Sequence, residues 1–287
     1  MPDTNINELI TEAEKKLLAA GIDAGKAEAE IILCELLDCE RLKLYLDGHT
    51  MITPEIIDRF NQIVEKRLTR YPLQYILGSA YFYGRKFVVN ESVMVPCPET
   101  ELLLESVLRS ARLSNSNPVR LLDIGTGSGV VSVSSKLENP DLDVTASDIS
   151  PDALAVAQKN AGRFGVLEKI RWVESDLFEN IDAGMTFDII ASNPPYINSD
   201  DYDTLPPEVK ADPTLSLLGG KQGMEIIDRL LKQAPDYLNP SGTLAFEIGY
   251  DQADLIFERV ESDDRYVRCS LLKDLADIDR VVVCKVR

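Results

Sequence analysis

The chain has 287 residues, with 48 acidic and 30 basic side chains that give a formal net charge of −18 at pH 7. Its length fits one large domain or two smaller ones, and a hydrophobic fraction of 45% is enough to build a core. The acidic balance argues against a protein that coats nucleic acid, because such proteins need a basic face to displace counterions from phosphates. No apolar run reaches the length of a membrane helix, and the N-terminus lacks the pattern of a signal peptide. We therefore expect a cytoplasmic protein with no membrane partner.

Five cysteines and a single histidine limit the chemistry. The cysteines form no C-x-x-C pair, and their odd number is typical of reduced thiols in the cytoplasm. His49 stands in a short polar stretch and is interpreted as a loop residue. A Ser-His-Asp triad would have to use it, and one histidine cannot build a His-rich metal site. No metal is therefore expected.

Apolar residues over 5–70 have the spacing of helices. The first set stops at Gly21, a natural C-terminal cap, and a second set follows over 27–37. The segment Thr53-Pro54-Glu55 then opens a third helix with a hydroxyl cap, a proline in the first turn and an early acid. This pattern predicts a small helical bundle.

Residues 66–90 form an unusual segment in this acidic chain, because they contain five basic and six aromatic side chains and no acid. One interpretation is a hairpin between domains whose aromatic rings pack inward. The other is a docking surface for an anionic or RNA-bound partner. Both can hold together, since rings can pack while basic head groups stay in water.

Strand and helix patterns alternate from Val119 onward, which predicts a mostly parallel sheet with helices on both faces. Helices are expected near 151–163, 224–238 and 251–261. The strand candidates are VRLLDIG, DVTASD, IRWV, FDIIASN, GTLAFEIG and RVVVCKV.

The first of these strands runs into a glycine-rich loop, Gly125-Thr126-Gly127-Ser128-Gly129. Such glycines let a ligand approach the backbone where a helix begins. A nicotinamide fingerprint would need a further glycine, which this chain lacks. Asp148 ends the next strand, where doubly wound folds place an acid that binds ribose hydroxyls.

A third strand end carries Asp176 and Leu177. The acid could accept from the exocyclic amine of adenine, while Leu177 lines the ring. Three strand ends in order with suitable residues favour a nucleoside cofactor. The missing glycine favours S-adenosylmethionine over a dinucleotide.

The fourth strand ends in Asn193-Pro194-Pro195-Tyr196. The two prolines fix the chain and leave the Pro194 carbonyl free to accept a hydrogen bond. The Asn193 side-chain oxygen is a second acceptor, and Tyr196 offers a ring face. Two acceptors that converge on one planar –NH₂ group would orient its nitrogen toward a methyl donor.

These motifs resemble those of the HemK/PrmC family, the protein-(glutamine-N5) methyltransferases that modify peptide chain release factors. The asparagine motif is shared with nucleic-acid amino methyltransferases, whereas other segments are more specific to the family. These segments are PLQYILG, PETE and the late GG…EIG. The resemblance implies an α/β fold of the class I S-adenosylmethionine-dependent type, Rossmann-like, with a mostly parallel seven-stranded sheet. It further implies a helical release-factor-recognition domain at 1–78, a hairpin linker at 79–95 and a methyltransferase domain at 96–287.

The resemblance also implies roles for individual residues. Gly125, Thr126, Gly127, Ser128 and Gly129 would cradle the methionine part of the cofactor, Asp148 its ribose, and Asp176 with Leu177 its adenine. Asn193 would touch both cofactor and acceptor, and Asn193, Pro194, Pro195 and Tyr196 would form the glutamine pocket, with Asn193, Pro194 and Tyr196 as the catalytic set. The substrate would be the glutamine of a Gly-Gly-Gln loop in release factors, and a monomer is expected.

One departure from the family pattern is Cys97, which stands where the family usually has arginine. Cysteine cannot replace the hydrogen bonds of a guanidinium group, so affinity or rate could suffer. The alternative function is methylation of an amino group of adenine or guanine in nucleic acid, which the net charge opposes. A catalytically weakened binding protein is a third interpretation.

Overall fold

The computed structural model describes residues 4–287, which form two compact units. One unit contains the chain up to Gly78 together with Pro206–Ala211. The other contains Ser79–Leu205 and Asp212–Arg287. The short segment Pro206–Ala211 therefore packs with the helical unit, although it lies far from that unit in the sequence.

The first unit is the predicted helical bundle. Asn5 caps its first helix, since its side chain accepts a hydrogen bond from the N–H of Glu8, whose carboxylate accepts one from the N–H of Asn5. The helices are α1 (Ile6–Ala19), α2 (Gly25–Leu37), α3 (Arg41–Leu46), α4 (Pro54–Leu68), α5 (Leu73–Leu77) and, in chain order, α9 (Pro207–Lys210). The apolar faces of α1 to α5 form one core that includes Leu33 and Phe60. His49 lies exposed in the turn after α3, as expected of a loop residue.

Glu208 of α9 holds two arginines at the end of the bundle. Arg67 is only 5% exposed and bonds both Glu28, at 2.7 Å, and Glu208, at 2.9 Å. Arg70 bonds both carboxylate oxygens of Glu208, at 2.5 and 2.8 Å. The interpretation of residues 66–90 as a docking surface therefore does not apply to Arg67, whose charge is buried and paired.

The second unit is built on a seven-stranded sheet. The strands of this sheet are β3 (Arg120–Ile124), β4 (Asp143–Asp148), β5 (Ile170–Glu174), β6 (Phe187–Ser192), β7 (Leu238–Glu247), β8 (Tyr266–Lys273) and β9 (Asp279–Val286). Their order is β5-β4-β3-β6-β7-β9-β8, and β9 alone points in the direction opposite to the other six strands. The mostly parallel sheet is thus confirmed, while β8 was not among the strands read from the sequence.

Helices cover both faces of this sheet, as predicted. They are α6 (Thr100–Leu113), α7 (Val130–Glu138), α8 (Pro151–Arg163), α11 (Glu225–Tyr237) and α12 (Ala253–Glu261). The short helix α10 (Thr214–Leu217) belongs to the same unit. Leu121 and Leu122 are neighbours on β3, yet they belong to two different apolar clusters. Side chains alternate across a strand, so a buried strand needs a core on each face.

A small hairpin, β1 (Ser79–Phe82) and β2 (Arg85–Val88), precedes the sheet. Phe82 and Phe87 are buried in a core cluster of the second unit, which confirms the inward packing predicted for these rings. Tyr81, by contrast, is 70% exposed. Arg85 bonds Glu138 at 2.6 Å, so this basic group is also paired.

Two of the five cysteines differ from the sequence-based expectation of reduced thiols, whereas Cys34, Cys39 and Cys97 are free as expected. Cys269 and Cys284 are joined by a disulfide. The register of β8 against β9 places the two residues directly opposite each other, which spacing along the sequence does not reveal. Between residues 4 and 287, no helix is long and apolar enough to cross a membrane. In the same range, no group of three or more His, Cys, Asp or Glu side chains could hold a metal ion.

Candidate active site

A cavity opens at the carboxyl edge of the sheet, where β3, β4, β5 and β6 end side by side. Ligands bind at this edge in open α/β sheets, where the strand order reverses. Residues after all four strands line the cavity. From the predicted site these are Gly125, Thr126, Gly127, Ser128, Asp148, Asp176, Leu177, Asn193, Pro194 and Pro195. The fold thus brings together ten residues from four segments of the chain, 125–128, 148, 176–177 and 193–195.

The glycine loop forms one wall of this cavity. Gly129 begins α7 with a φ of 81° and packs away from the cavity, because a Cβ atom there would lie 3.1 Å from Cβ of Ala157. Gly129 therefore allows α7 and α8 to approach each other, which is a different task from lining a ligand. Its contact with the cofactor stays a prediction.

Asp123, near the end of β3, holds the glycine loop and the start of α7 by hydrogen bonds. The sequence analysis did not assign it a role. It is 2% exposed and accepts hydrogen bonds from the hydroxyl of Thr126, at 2.7 Å, and from the N–H of Ser132, at 3.0 Å. Burial raises the pKa of Asp123 to about 6, although these hydrogen bonds oppose the shift. The available signal was an acid inside an otherwise apolar strand.

Asp148 lies at the end of β4 and lines the cavity. Its carboxylate accepts from the N–H groups of Gly127 and Ser150, both at 2.9 Å. Burial raises the pKa of Asp148, while the backbone hydrogen bonds work against the shift. A carboxylate oxygen has two lone pairs, so each oxygen keeps capacity for a hydroxyl of a ligand.

Asp176 and Leu177 lie together in the turn after β5, as expected. Arg229 of α11 donates to Asp176 at 2.9 Å, which fixes the position of the carboxylate. Leu177 is buried and has a φ of 49°, in the left-handed region that side chains with a Cβ seldom adopt. Backbone strain of this kind is concentrated at functional sites.

Asn193 and Pro194 follow β6 directly and face the same cavity. The side-chain N–H₂ of Asn193 donates to the hydroxyl of Thr100 at 3.3 Å. The other arm of the amide, Oδ1, is an acceptor, as is the carbonyl of Pro194. The two acceptors predicted for a planar –NH₂ group therefore belong to neighbouring residues at the cavity.

Tyr196 takes a different position from the other predicted residues, because it is not among the described residues that line the cavity. Its hydroxyl donates to Glu247 at 3.2 Å, and its carbonyl accepts from Gln252 at 3.0 Å. Gly223 must be glycine here, since a Cβ atom would lie 1.9 Å from the carbonyl oxygen of Tyr196. Burial, with the nearby Glu247 carboxylate, raises the pKa of Tyr196 well above its ordinary value, so the phenol keeps its proton.

Thr100 and Glu247 complete the site, and the sequence analysis assigned neither of them a role. Thr100 is the first residue of α6 and lines the cavity, while Glu247 ends β7 and is 2% exposed. The hydroxyl of Thr100 donates to Glu247 at 2.8 Å. The pair is separated by 147 positions, so only the folded chain shows it.

Cys97 lies just before α6, and its thiol contacts the carbonyl of Val95 at 3.6 Å. Desolvation and the nearby carboxylates of Glu247, Glu99 and Asp212 raise the pKa of Cys97 to about 12. The thiol is therefore protonated at neutral pH, which opposes a nucleophilic role.

Comparison with known proteins identifies two family domains in the chain. Residues 8–78 match the PrmC N-terminal domain, and residues 98–205 match the methyltransferase small domain. The release factor glutamine methyltransferase of Koribacter versatilis is 38% identical over 97% of this chain and 97% of its own. That of Chlorobaculum tepidum is 38% identical over 95% of this chain and 92% of its own.

Solved structures support the fold class. A methyltransferase from Pyrococcus furiosus aligns with a TM-score of 0.51 and 21% identity, over 71% of this chain and 90% of that one. The expected class I methyltransferase fold is confirmed.

Proposed function

This chain belongs to the family of release factor glutamine methyltransferases, and from that premise we propose its substrate and the roles of its site residues. It transfers a methyl group from S-adenosylmethionine to the side-chain amide nitrogen of glutamine. The acceptor is the glutamine of the Gly-Gly-Gln loop in peptide chain release factors.

The observation that carries the proposal is the position of Asn193 and Pro194. They line the cavity whose other walls are the glycine loop, Asp148 and Asp176. An acceptor pair for an amide –NH₂ thus lies beside residues suited to a nucleoside cofactor.

The cavity residues fit S-adenosylmethionine part by part. Residues 125–128 present backbone to the methionine portion, and Asp148 offers carboxylate oxygens to the ribose hydroxyls. Asp176, held by Arg229, and Leu177 would flank the adenine. When bound, this cofactor supplies an electrophilic methyl group on a sulfonium sulfur.

The chain's own contribution to the reaction is mainly positioning. An amide nitrogen is a poor nucleophile because its lone pair is delocalised into the carbonyl. Asn193 and Pro194 would hold both amide hydrogens and turn the nitrogen toward the methyl donor. The proton then leaves after transfer, so the chemistry proposed needs neither a strong base nor a metal ion. Tyr196 would hold the Asn193-Pro194-Pro195 segment in place through its hydrogen bonds to Glu247 and Gln252.

The helical unit is the proposed recognition domain for the body of the release factor. We infer that the chain is a cytoplasmic monomer, that its substrate is the release factor, and that its active site takes no nucleic acid. The net charge of −18 supports the last point, since phosphate binding favours a basic surface.

Mass spectrometry of a release factor after incubation with the protein and S-adenosylmethionine tests the function. We expect one added methyl on the glutamine of the Gly-Gly-Gln peptide. Asn193→Ala should give no transfer while its circular dichroism spectrum shows that the fold is intact. Transfer to RNA or DNA but not to the release factor would favour the nucleic-acid alternative, and cofactor binding without any transfer would favour a binding protein.

A further inference from the structure

We propose that Glu247 is a positioning residue for this reaction: it accepts the hydrogen bond of the Thr100 hydroxyl and so determines which way the Asn193 amide faces. The inference rests on the proposed function, because it concerns how Asn193 presents its oxygen to the acceptor. Glu247 itself is not among the described residues that line the cavity, so it acts through others.

Three residues form a relay from the end of β7 to the cavity. The Oε2 atom of Glu247 accepts from Oγ1 of Thr100 at 2.8 Å. Oγ1 of Thr100 in turn lies 3.3 Å from Nδ2 of Asn193. The relay therefore connects a buried charge to the proposed catalytic amide in two hydrogen bonds.

The two hydrogen bonds of the relay run in one direction, from Asn193 to Thr100 to Glu247. A threonine hydroxyl has one proton, and a carboxylate can only accept. When the Thr100 hydroxyl donates its one hydrogen bond to Glu247, the Thr100 oxygen can only accept a hydrogen bond from Asn193. The arm of the Asn193 amide that faces Thr100 must then be the –NH₂ group, which leaves Oδ1 as the arm available to the substrate.

The reversed amide would harm the reaction. It would present –NH₂ to the –NH₂ of the substrate glutamine, so two donors would face each other and the acceptor pair with Pro194 would be lost. An asparagine amide has almost the same shape in both orientations, so packing alone selects weakly between them. Glu247 supplies the selection by hydrogen bonding.

Glu247 also holds the Tyr196 phenol. Its Oε1 atom accepts from the Tyr196 hydroxyl at 3.2 Å. One carboxylate thus organises Thr100, which precedes Asn193 in the relay, and Tyr196, which follows the two prolines. Both ends of the proposed acceptor site depend on the same side chain.

Charged groups around Glu247 influence its protonation. Burial raises the pKa of Glu247 to about 7; the hydrogen bonds from Thr100 and Tyr196 oppose the shift, the Glu99 carboxylate adds to it, and Arg280 opposes it. Arg280 comes from β9 and is itself bonded to Asp274 at 2.8 Å. The Cys97 thiol also lies close to Glu247, and its raised pKa keeps it protonated.

Protonation of Glu247 would weaken the selection. A carboxylic acid carries a proton that it can donate to Thr100, and Thr100 could then donate to Asn193. We therefore expect the rate of methyl transfer to fall on the acid side of its pH profile, as Glu247 gains a proton; this part of the profile is called the acid limb below.

The test compares Glu247→Gln, Thr100→Val and Thr100→Ser in the full chain with a Gly-Gly-Gln release factor as substrate. In Glu247→Gln the side-chain –NH₂ group can donate to Thr100, which reverses the direction of both hydrogen bonds. In Thr100→Val the hydroxyl is removed while the shape of the side chain is kept. We expect kcat to fall about 100-fold for both, as for other losses of orientation near a reacting atom. Thr100→Ser keeps the hydroxyl and should retain most of the rate. The matched control is Glu105→Gln, which changes an exposed glutamate of α6, the helix that contains Thr100.

Three readouts separate positioning from a general structural role. The Kd for S-adenosylmethionine should be unchanged, and the acid limb should disappear in Glu247→Gln. The double variant Glu247→Gln/Thr100→Val should lose no more rate than the worse single variant, because both changes break one relay. An equal loss in Thr100→Val and Thr100→Ser, an unchanged kcat in Glu247→Gln, or losses that multiply in the double variant would overturn the proposal.

Failure of the inference is distinguishable from failure of the proposed function. If the wild-type protein does not methylate the release factor, the proposed function fails and this inference fails with it. If the wild-type protein is active and the variants behave like Glu105→Gln, the function stands and only the role of Glu247 is refuted.

Discussion

Asp148 and Gly127 are joined by a hydrogen bond of 2.9 Å from the backbone N–H of the glycine to Oδ2 of the acid. The residue proposed for the ribose thus also fixes the loop proposed for the methionine. The two strand ends are therefore not independent halves of a site. A change at Asp148 should affect both parts of the cofactor.

Replacing Asp148 by alanine should weaken S-adenosylmethionine binding by roughly 10- to 150-fold, the range expected for the loss of hydrogen bonds to a charged group. Asp148→Asn should lose less, since its amide oxygen can still accept from Gly127. Calorimetry of cofactor binding measures both values. Asp152→Asn, an exposed acid in the first turn of α8, serves as the control. Cofactor affinity equal to wild type in Asp148→Ala would refute the ribose assignment.

The parts of the site that the sequence predicts are those that follow strand ends directly. Gly125, Asp148, Asp176 and Asn193 each come after a recognisable apolar strand, and parallel strands bring such ends to one edge. Their proximity therefore follows from the fold class.

The parts that the sequence does not predict depend on contacts between distant segments. Thr100 and Glu247 carry no local signal of a shared hydrogen bond, and Glu208 lies 141 positions from Arg67. The strand β8 has a weak apolar alternation, because several of its side chains are exposed at the edge of the sheet. Such features require the three-dimensional arrangement.

Glu208→Ala should loosen the attachment of Pro206–Ala211 to the bundle. Arg70 would lose both of its bonds to Glu208, while the buried Arg67 would keep only Glu28 among its ion pairs. We expect a local free-energy loss of about 1–3 kcal/mol. Hydrogen exchange of the amides of Val209, Lys210 and Ala211, which donate hydrogen bonds within this segment, should then be roughly 5- to 150-fold faster.

The stability of the contact between Pro206–Ala211 and the bundle should also depend on pH. Its arginine partners lower the pKa of Glu208 to about 2. Because the folded pKa lies below the ordinary value, the stabilisation is present above about pH 4.5 and is lost as pH falls toward 2. Glu65→Ala, an exposed glutamate of α4, should change neither property. Unchanged exchange in Glu208→Ala would mean that packing alone holds the segment.

Glu247 should make the stability of the sheet unit depend on pH in the opposite sense. Between about pH 4.5 and 7 the unfolded chain has released the Glu247 proton, whereas the folded protein keeps it. The free energy of unfolding attributable to this group therefore falls as pH rises through that window, by up to about 3 kcal/mol. Glu247→Gln has no such group and should escape the fall.

Urea unfolding at several pH values, followed by the fluorescence of Trp172 on β5, measures this effect in the unit that contains Glu247. The difference in unfolding free energy between Glu247→Gln and wild type should move in favour of the variant as pH rises. Glu105→Gln should follow wild type throughout. A constant difference between pH 5 and 8 would show that Glu247 does not titrate in this range.

Cys97→Arg tests what the unusual residue of this chain does to the relay. The thiol lies near the carboxylates of Glu247, Glu99 and Asp212, so a guanidinium there would add a positive charge among acids. A nearby cation favours the ionised carboxylate, and the pKa of Glu247 should fall. We expect the acid limb of the methyl-transfer rate to move to lower pH, with a gain in rate near pH 6. Cys97→Ser removes the thiol without adding charge, so it should keep both the wild-type rate and the wild-type limb. A large loss in Cys97→Ser would instead assign the thiol a direct part in the reaction.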